Sequence, residues 1–576
     1  MKMVNLTING IPVEVPEGST ILEAAQKAGI RIPTLCYLKD VNAIGACRMC
    51  VVEVKGARAW AAACVYPVNE GMEVFTNTPE LRKARKQTLE LMLSNHRMDC
   101  LSCVRSEDCE LQSLANEYGV DQYHYGPGLK EPDIDDSAIH LIRDNSKCIL
   151  CRRCVAVCKK NQYVSVIGPN ERGYDTRISS TFDMPLATTS CIHCGQCIAV
   201  CPTGALQERD DTDKVWAALN DPTKHVVVGP APSVRAQLGE CFGYPIGTNV
   251  EGKMIAALRR LGFDKVFDVD TAADFTIVEE GTELLNRIQN GGKLPMITSC
   301  SPGWVKFCEY YYPDMIENLS SCKSPQGMFG SLVKHYYAET QGIDPKDIFV
   351  VSIMPCTAKK FEVSREELNC DVDVSLTTRE LARMIKRAGI EFKDLPDEEC
   401  DPMLGIASGA GHIFGATGGV MEAALRTVYE VVTGKPCEPV EFHDVRGVEA
   451  IKEAEYDLGG TKVKVAVTSG LANAAKLLDM VKNGEKDYQF IEVMACPGGC
   501  VNGGGQPHQP GQVKNFTDLR AERAKALYSE DAAMTLRKSH ENPVVKEVYE
   551  TYYKGGYGCH KAHEQLHTHY TPRKVF

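Results

Sequence analysis

Twenty-six of the 576 residues are cysteine, and most fall into short spacings that suit metal ligation. In a reducing compartment, clustered thiols bind metal or do redox chemistry rather than pair as disulfides. Cys36, Cys47, Cys50 and Cys64 form a first group, and His96, Cys100, Cys103 and Cys109 a second. Two runs of the form C-x2-C-x2-C-x3-C follow: Cys148, Cys151, Cys154 and Cys158, then Cys191, Cys194, Cys197 and Cys201 with Pro202 behind it. In that double pattern the fourth cysteine of each run binds the other run's cubane. One [4Fe–4S] cluster is therefore expected on Cys148, Cys151, Cys154 and Cys201. The other is expected on Cys158, Cys191, Cys194 and Cys197. By ligand type alone, the two earlier groups suit zinc or iron–sulfur clusters. A row of electron carriers needs a terminus, and more than half of the chain, with Cys300, Cys356, Cys496 and Cys500, lies beyond these runs.

Something must hold each thiolate in place. Residues 4–8 and 11–15 flank Asn9-Gly10, a strong hairpin signal, and 19–28 reads as a helix capped by Ser19 or Thr20. After residue 209 strands and helices alternate, an α/β pattern. The apolar segments 225–228, 294–298, 348–354, 463–468 and 490–494 each run into a loop of small residues, proline or cysteine. Cys300, Cys356 and Cys496 lie just past three of them. Ligands of open α/β sheets bind beyond the carboxyl ends of strands, so thiolates far apart in sequence can converge there. Glycines crowd the last of these loops, at 498, 499 and 503–505, where a missing Cβ lets backbone approach a bulky group.

Family resemblances sharpen this reading. Residues 1–80 resemble a plant-type [2Fe–2S] ferredoxin in their arrangement, although the cysteine spacing differs. Residues 81–123 resemble the histidine-ligated [4Fe–4S] domain of hydrogenases and of the large peripheral subunit of respiratory complex I. Residues 124–209 resemble a bacterial two-cluster ferredoxin. Thr298-Ser-Cys-Ser-Pro-Gly-Trp304, Met354-Pro-Cys-Thr-Ala-Lys-Lys360 and Glu492-Val-Met-Ala-Cys-Pro-Gly-Gly-Cys-Val-Asn502 resemble the three signatures of iron-only, [FeFe], hydrogenases. Phe414-Gly-Ala-Thr-Gly-Gly-Val-Met-Glu422 and Arg537-Lys-Ser-His-Glu-Asn542 also look like that family. The likeness runs along essentially the whole chain.

It implies a multidomain α+β and α/β fold. Ferredoxin-like iron–sulfur modules would precede a two-lobed α/β catalytic domain over 210–520, with a small-subunit-like helical tail over 521–576. The catalytic domain would bind the H-cluster, a [4Fe–4S] cubane joined to a two-iron subcluster with CO, cyanide and azadithiolate. The implied activity is reversible H2 oxidation and proton reduction by heterolytic cleavage. Electrons would pass through one [2Fe–2S] and three [4Fe–4S] clusters to ferredoxin, or to an NAD(P)H-oxidising flavoprotein with [2Fe–2S] subunits. Maturation proteins would insert the two-iron unit. By the same resemblance Cys356, Cys496 and Cys500 are cluster ligands, with Cys500 bridging the two parts. Lys359 would hold a cyanide as a charged donor. Ala231, Pro232, Ser233, Pro325, Gln326, Met354, Phe414 and Met494 would line the pocket. Glu280, Ser320 and Glu283 match the proton path, whereas a solvated acidic helix face is the plain reading of 279–283.

One departure matters. The family's first signature carries two adjacent cysteines, the first relaying protons and the second binding the cubane. Here the second is Ser301. Cys300, Cys322 or, last in order because a neutral serine is a poor cluster ligand beside a thiolate, Ser301 must supply the missing ligand. Cys300 is preferred, and the proton path then needs another first member.

Other features are read more plainly. Arg152, Arg153, Lys159 and Lys160 are expected on a solvated face. The tail histidines His560, His563, His567 and His569 favour a wrapping helix over a metal site, and 521–529 and 543–553 read as helices. Cys241, Cys308, Cys370, Cys400, Cys437 and Cys559 fit no motif. A net charge of −12 argues against a nucleic-acid partner. No apolar run is long enough to span a membrane, and the start lacks a secretory signal, so a cytoplasmic location is expected. No G-x-G-x-x-G follows a strand, so any flavin or NAD(P) would sit on a partner. An H2 sensor or an electron-transfer protein without turnover is the alternative function.

Overall fold

Asn9 and Gly10 adopt φ of 51° and 82°, the tight turn that pairs Met3–Ile8 antiparallel with Ile11–Pro16. Met72–Phe75, Val51–Val54 and Ala61–Ala62 extend this pair to a five-stranded sheet. Helix Ile21–Lys27 opens with a capping box: the Thr20 side chain accepts from Glu23 N, and the Glu23 carboxylate accepts from Thr20 N. Its apolar face packs with Val4, Leu6 and Ile8 in a core that also covers Cys50 and Cys64. The computed structural model describes residues 2–120, 125, 131–458 and 460–575. The expected domain boundary at 123/124 lies outside the described residues.

Helices Pro79–Leu93 and Glu110–Glu117 bracket the histidine-bearing loop. Helices Arg153–Lys160 and Gln196–Val200 carry the double cysteine run. Arg152, Lys159 and Lys160 are exposed, as expected, but Arg153 is buried and pairs with Glu110 at 2.7 Å. The spacing could not place Arg153 indoors, because its partner belongs to the preceding domain.

The catalytic part is built on two four-stranded sheets, and their division makes it two-lobed. One runs Lys265–Val266, His225–Pro230, Ile348–Met354, Val374–Thr377, all parallel. The other runs Met296–Ile297, Phe490–Met494, Thr461–Ser469, Ile451–Leu458, with only the last pair antiparallel. The strand expected over 294–298 shortens to Met296–Ile297, since Pro295 has no N–H to give a ladder. The 22-residue helix Val269–Asn290 runs through the core with most of its first half buried. The tail adds helices Leu519–Ala533, Pro543–Val548 and His560–Leu566. The helix read over 543–553 finishes as a π-turn, Tyr549–Tyr553.

Relay and catalytic parts share a core. Ile192, beside the second cysteine run, is buried among Ile297, Trp304 and Ile491. Burying a side chain of that size stabilises by about 1.5–3 kcal/mol, so the last relay is pinned against the catalytic domain. A charged clamp reinforces the junction. Glu208 accepts from Arg379 at 2.6 Å and Arg383 at 2.7 Å. Burial pushes the Glu208 carboxyl up, but the two guanidinium groups outweigh it and hold the group well below the usual range.

Candidate active site

In the first domain Cys36, Cys47, Cys50 and Cys64 are all buried. Cys50 and Cys64 bring their sulfurs to 3.3 Å, and Cys47 N donates to Cys36 Sγ at 3.5 Å. In the next, His96 is buried and its Nδ1 has no hydrogen-bond partner among the described residues, a nitrogen shaped for a ligand rather than for solvent. Cys103 abuts the two-cluster domain so closely that a Cβ on Gly204 would stand 2.5 Å from its sulfur. Arg105 donates to Cys201 O at 2.8 Å, and Glu110 N to Pro202 O at 3.1 Å.

The eight cysteines of the double run sort into two pockets. Cys148, Cys151, Cys154 and Cys201 line one. Cys158, Cys191, Cys194 and Cys197 line the other. This is the crossed arrangement that the spacing implies: Cys158, in the last turn of one helix, and Cys201, the cap of the other, each line the opposite run's pocket.

Beyond Cys194 lies the catalytic cavity. A Cβ on Gly504 would meet Cys194 O at 2.3 Å, and one on Gly195 would meet Thr357 Oγ1 at the same distance. Glycine is therefore required where these two loops cross. Thr357 donates to His193 O at 2.8 Å, Gln162 to Ala495 O at 3.0 Å and Gln196 to Asn502 O at 2.8 Å. Loops from both lobes are thereby locked to the last relay pocket.

The cavity is bounded by loops of both lobes. Cys300, Cys356, Cys496 and Cys500 line it, each supplied by a loop past a strand's carboxyl end. Ala231, Pro232, Ser233, Pro325, Gln326, Met354, Phe414 and Met494 line it too. Sequence reading did not assign Val269, Pro302, Pro355, Gly415 or Ala495 to this wall, which they build through backbone or small side chains. Lys359 Nζ is the cavity's cation. It donates to Ser324 Oγ and Glu362 Oε2 at 2.8 Å and to Cys300 O at 3.2 Å. Burial pushes the Cys356 and Cys500 thiols up, the latter to about 12, so neither is an anion without a metal. Converging thiols, a mostly apolar wall and one buried cation fit a bulky anionic metal cluster, and the H-cluster is of that kind.

Cys322 does not line this cavity. Its sulfur lies 3.7 Å from Glu283 Oε2 and 3.9 Å from His567 Nε2. Its side chain therefore faces away, toward the tail, and it is no neighbour of Cys356 or Cys496. Ser301 does line the cavity, and its Oγ accepts from Ala495 N at 3.2 Å, next to Cys496. Burial, and after it the charge of Glu280, pushes the neighbouring Cys300 thiol well up.

Glu279 and Glu280 are buried rather than solvated. Burial, with Glu283 behind it, pushes Glu280 up to about 8. Ser320 Oγ donates to Glu283 Oε2 at 3.0 Å, and Arg287 Nη2 donates to Glu283 Oε1 at 2.6 Å near the surface. The remaining motif residues tie elements together. Glu492 accepts from Gly418 N at 2.6 Å and Met421 N at 2.7 Å, fixing the Phe414–Glu422 segment. Arg537 and Arg426 grip Asp531, and Asn542 donates to Asp274 at 2.7 Å.

Comparison with known proteins agrees with this geometry. Family profiles match in order: a 2Fe–2S iron–sulfur cluster binding domain over residues 1–79 and an NADH-ubiquinone oxidoreductase-G iron–sulfur binding region over 85–124. A 4Fe–4S dicluster domain matches 147–205, the C-terminal domain of the iron only hydrogenase large subunit 224–504, and the iron hydrogenase small subunit 517–573. The NADP-reducing hydrogenase subunit HndD of Solidesulfovibrio fructosivorans is 49% identical, with all of both chains covered. Iron hydrogenase 1 of Clostridium pasteurianum is 45% identical over 99% of this chain and 100% of that one. A solved structure of the [FeFe]-hydrogenase HydA1 from Chlamydomonas reinhardtii superposes with a TM-score of 0.56 at 43% identity, covering 63% of this chain and 98% of that one.

Proposed function

The chain belongs to the iron-only, [FeFe], hydrogenase family, and from that premise we propose which residues hold the cofactors and move protons and electrons. It is a hydrogenase with 2Fe–2S and 4Fe–4S binding domains. Cys356, Cys496 and Cys500, which line one cavity, would hold the H-cluster, with Cys500 the ligand shared by its two parts. When bound, the cluster supplies the metal and the amine base at which H2 is split or formed. The chain's own groups do the rest. Lys359 neutralises the cluster's charge from within the apolar wall. In place of the preferred Cys300, Ser301, whose Oγ accepts from Ala495 N beside Cys496, would supply the cubane's fourth ligand, leaving Cys300, next to Glu280, for protons. Protons pass between Cys300, Glu280, Ser320 and Glu283 and leave beside Arg287. A carboxyl whose pKa lies near 8 can both take and give a proton at neutral pH.

Cys36, Cys47, Cys50 and Cys64 would hold one [2Fe–2S] cluster, and His96, Cys100, Cys103 and Cys109 one [4Fe–4S] cluster, as electron carriers. The two crossed cubanes then lead to the cavity. The redox partner is ferredoxin or an NAD(P)-linked flavoprotein assembly. The full-length likeness to an NADP-reducing hydrogenase subunit favours the second.

The observation that carries this reading is the convergence of four loop cysteines on one cavity directly behind Cys194. Infrared spectroscopy of the chain matured with its maturation proteins tests it. CO and cyanide bands are expected, and they should vanish in Cys500→Ser. Bands that persist unchanged in Cys500→Ser would exclude that residue as the bridge.

A further inference from the structure

Two features left unused above meet away from the cavity: Cys322, and the histidine-rich tail. Residues 321–323 and 566–568 run antiparallel. Lys323 N donates to Leu566 O at 2.8 Å, Thr568 N donates to Ser321 O at 2.7 Å, and Cys322 and His567 face each other. Cys322 Sγ lies 3.7 Å from Glu283 Oε2 and 4.0 Å from His567 Nδ1. One ligand atom each from Glu283, Cys322 and His567 fall within 4.8 Å of one another. A tetrahedral zinc ion, with Zn–S near 2.3 Å and Zn–N or Zn–O near 2.0 Å, sets neighbouring donors about 3.5 Å apart. The two sulfur distances need close by only a few tenths of an ångström, and the Glu283–His567 pair, within 4.8 Å, by up to about 1.5 Å.

The surroundings are already arranged for a metal. His567 Nε2 is 2.9 Å from Glu279 Oε2. Glu279 is itself fixed by Gly558 N at 2.9 Å and by the Tyr549 hydroxyl. A carboxylate behind a ligating imidazole fixes its tautomer and raises its basicity. With Nε2–H donating to Glu279, Nδ1 accepts from the Ser321 hydroxyl, 2.8 Å away, and Cys322 Sγ stands beside the ring, 4.0 Å from Nδ1 and 3.9 Å from Nε2. Glu283 divides its work in the same way. Its Oε1 stays with Arg287, while Oε2 turns toward Cys322. The exposed ring of His563 stacks on His567 at 4.3 Å and offers a first contact from solvent.

We propose that Glu283, Cys322 and His567 form a site for a soft divalent cation of the zinc class, and that its occupancy closes the outer end of the proton path. Thiolate, imidazole and carboxylate together favour zinc over magnesium or calcium. The thiol releases its proton to solvent on binding, and the Ser321 hydroxyl or a water completes the tetrahedron. The inhibitory half rests on the path proposed above, because Glu283 is the carboxylate that joins Ser320 to Arg287. The metal half does not.

The test is a zinc titration of the matured, cluster-complete enzyme, with bound metal measured by equilibrium dialysis and its surroundings by zinc K-edge absorption. One zinc per chain is expected, with one sulfur and otherwise nitrogen or oxygen neighbours. Cys322→Ser and His567→Asn should each weaken binding by at least about a hundredfold, and Glu279→Gln by about 10–100-fold. H2 oxidation should fall in step with zinc occupancy in the wild type, and should not respond to the same zinc concentration in His567→Asn. A stoichiometric zinc with that signature and undiminished turnover would uphold the metal site and overturn the proton exit through Glu283. Equal zinc binding in wild type and both variants, or a bound zinc without sulfur, would overturn the site. Should a variant fail to fold, the wild-type absorption spectrum decides alone.

Discussion

Glu280→Gln probes the proton path most directly. Glu280 sits in the buried half of helix Val269–Asn290, and its Oε2 has no hydrogen-bond partner among the described residues. Its pKa of about 8 means that the neutral carboxyl dominates at pH 7. Glutamine copies the shape and charge of that form, so the fold and clusters should persist. An amide, however, cannot take up and release a proton. Losing a positioned proton-transfer group costs about 10²–10⁴ in rate, or about 2.7–5.5 kcal/mol of barrier. The assay is H2 oxidation with an artificial acceptor and H2 evolution with an artificial donor, both normalised to infrared band intensity. Both directions should fall together. Turnover above about one third of wild type in both directions, with bands intact, would refute the role. Stability gives an independent arm. A carboxyl whose folded pKa exceeds its unfolded value binds its proton more tightly when folded. The wild type therefore loses stability as pH rises from about 4.3 toward 8, by up to about 5 kcal/mol. Glutamine has no such loss, so the variant's relative thermal stability should climb over that window. A flat difference would mean that Glu280 is not buried as described.

Three further outcomes are expected. Arg379→Gln leaves the buried Glu208 carboxylate between relay and catalytic parts with Arg383 alone, and should cost about 1.5–3 kcal/mol in thermal unfolding. Because that carboxyl is held low, the clamp's contribution is full above about pH 4.3 and disappears as pH falls further. Ser301→Ala should leave a cubane that loses one iron, visible by electron paramagnetic resonance. Cys300→Ala should keep the cubane but slow proton transfer, and the reverse pattern would make Cys300 the ligand. His96→Cys adds a negative charge to its cluster and should lower that cluster's potential, on the order of 100 mV, in a redox titration.

The relay ligands were legible because a cubane imposes short, local spacings, and a helix or loop of a few residues is enough to satisfy them. The strand-to-loop positions of Cys300, Cys356 and Cys496 were legible for a similar reason, since apolar runs ending in small residues mark strand ends. The glycines at 503–505 announced a crowded loop, though not that residue 504 lies against Cys194. Which way a side chain faces once distant segments pack was beyond such signals. Cys322 read as a neighbour of the signature cysteines, yet it turns toward His567, 245 residues away. Arg153 read as solvated, yet Glu110 draws it inside. Residues 279–283 carried two readings, a proton path by resemblance and a solvated acidic face by composition, and only the packing of the tail against Glu279 and the burial of Glu280 exclude the second. Ligand spacing is a property of a few consecutive bonds. Burial, charge pairing and the division between cavity and proton path arise from contacts between segments whose separation along the chain carries no trace of their meeting.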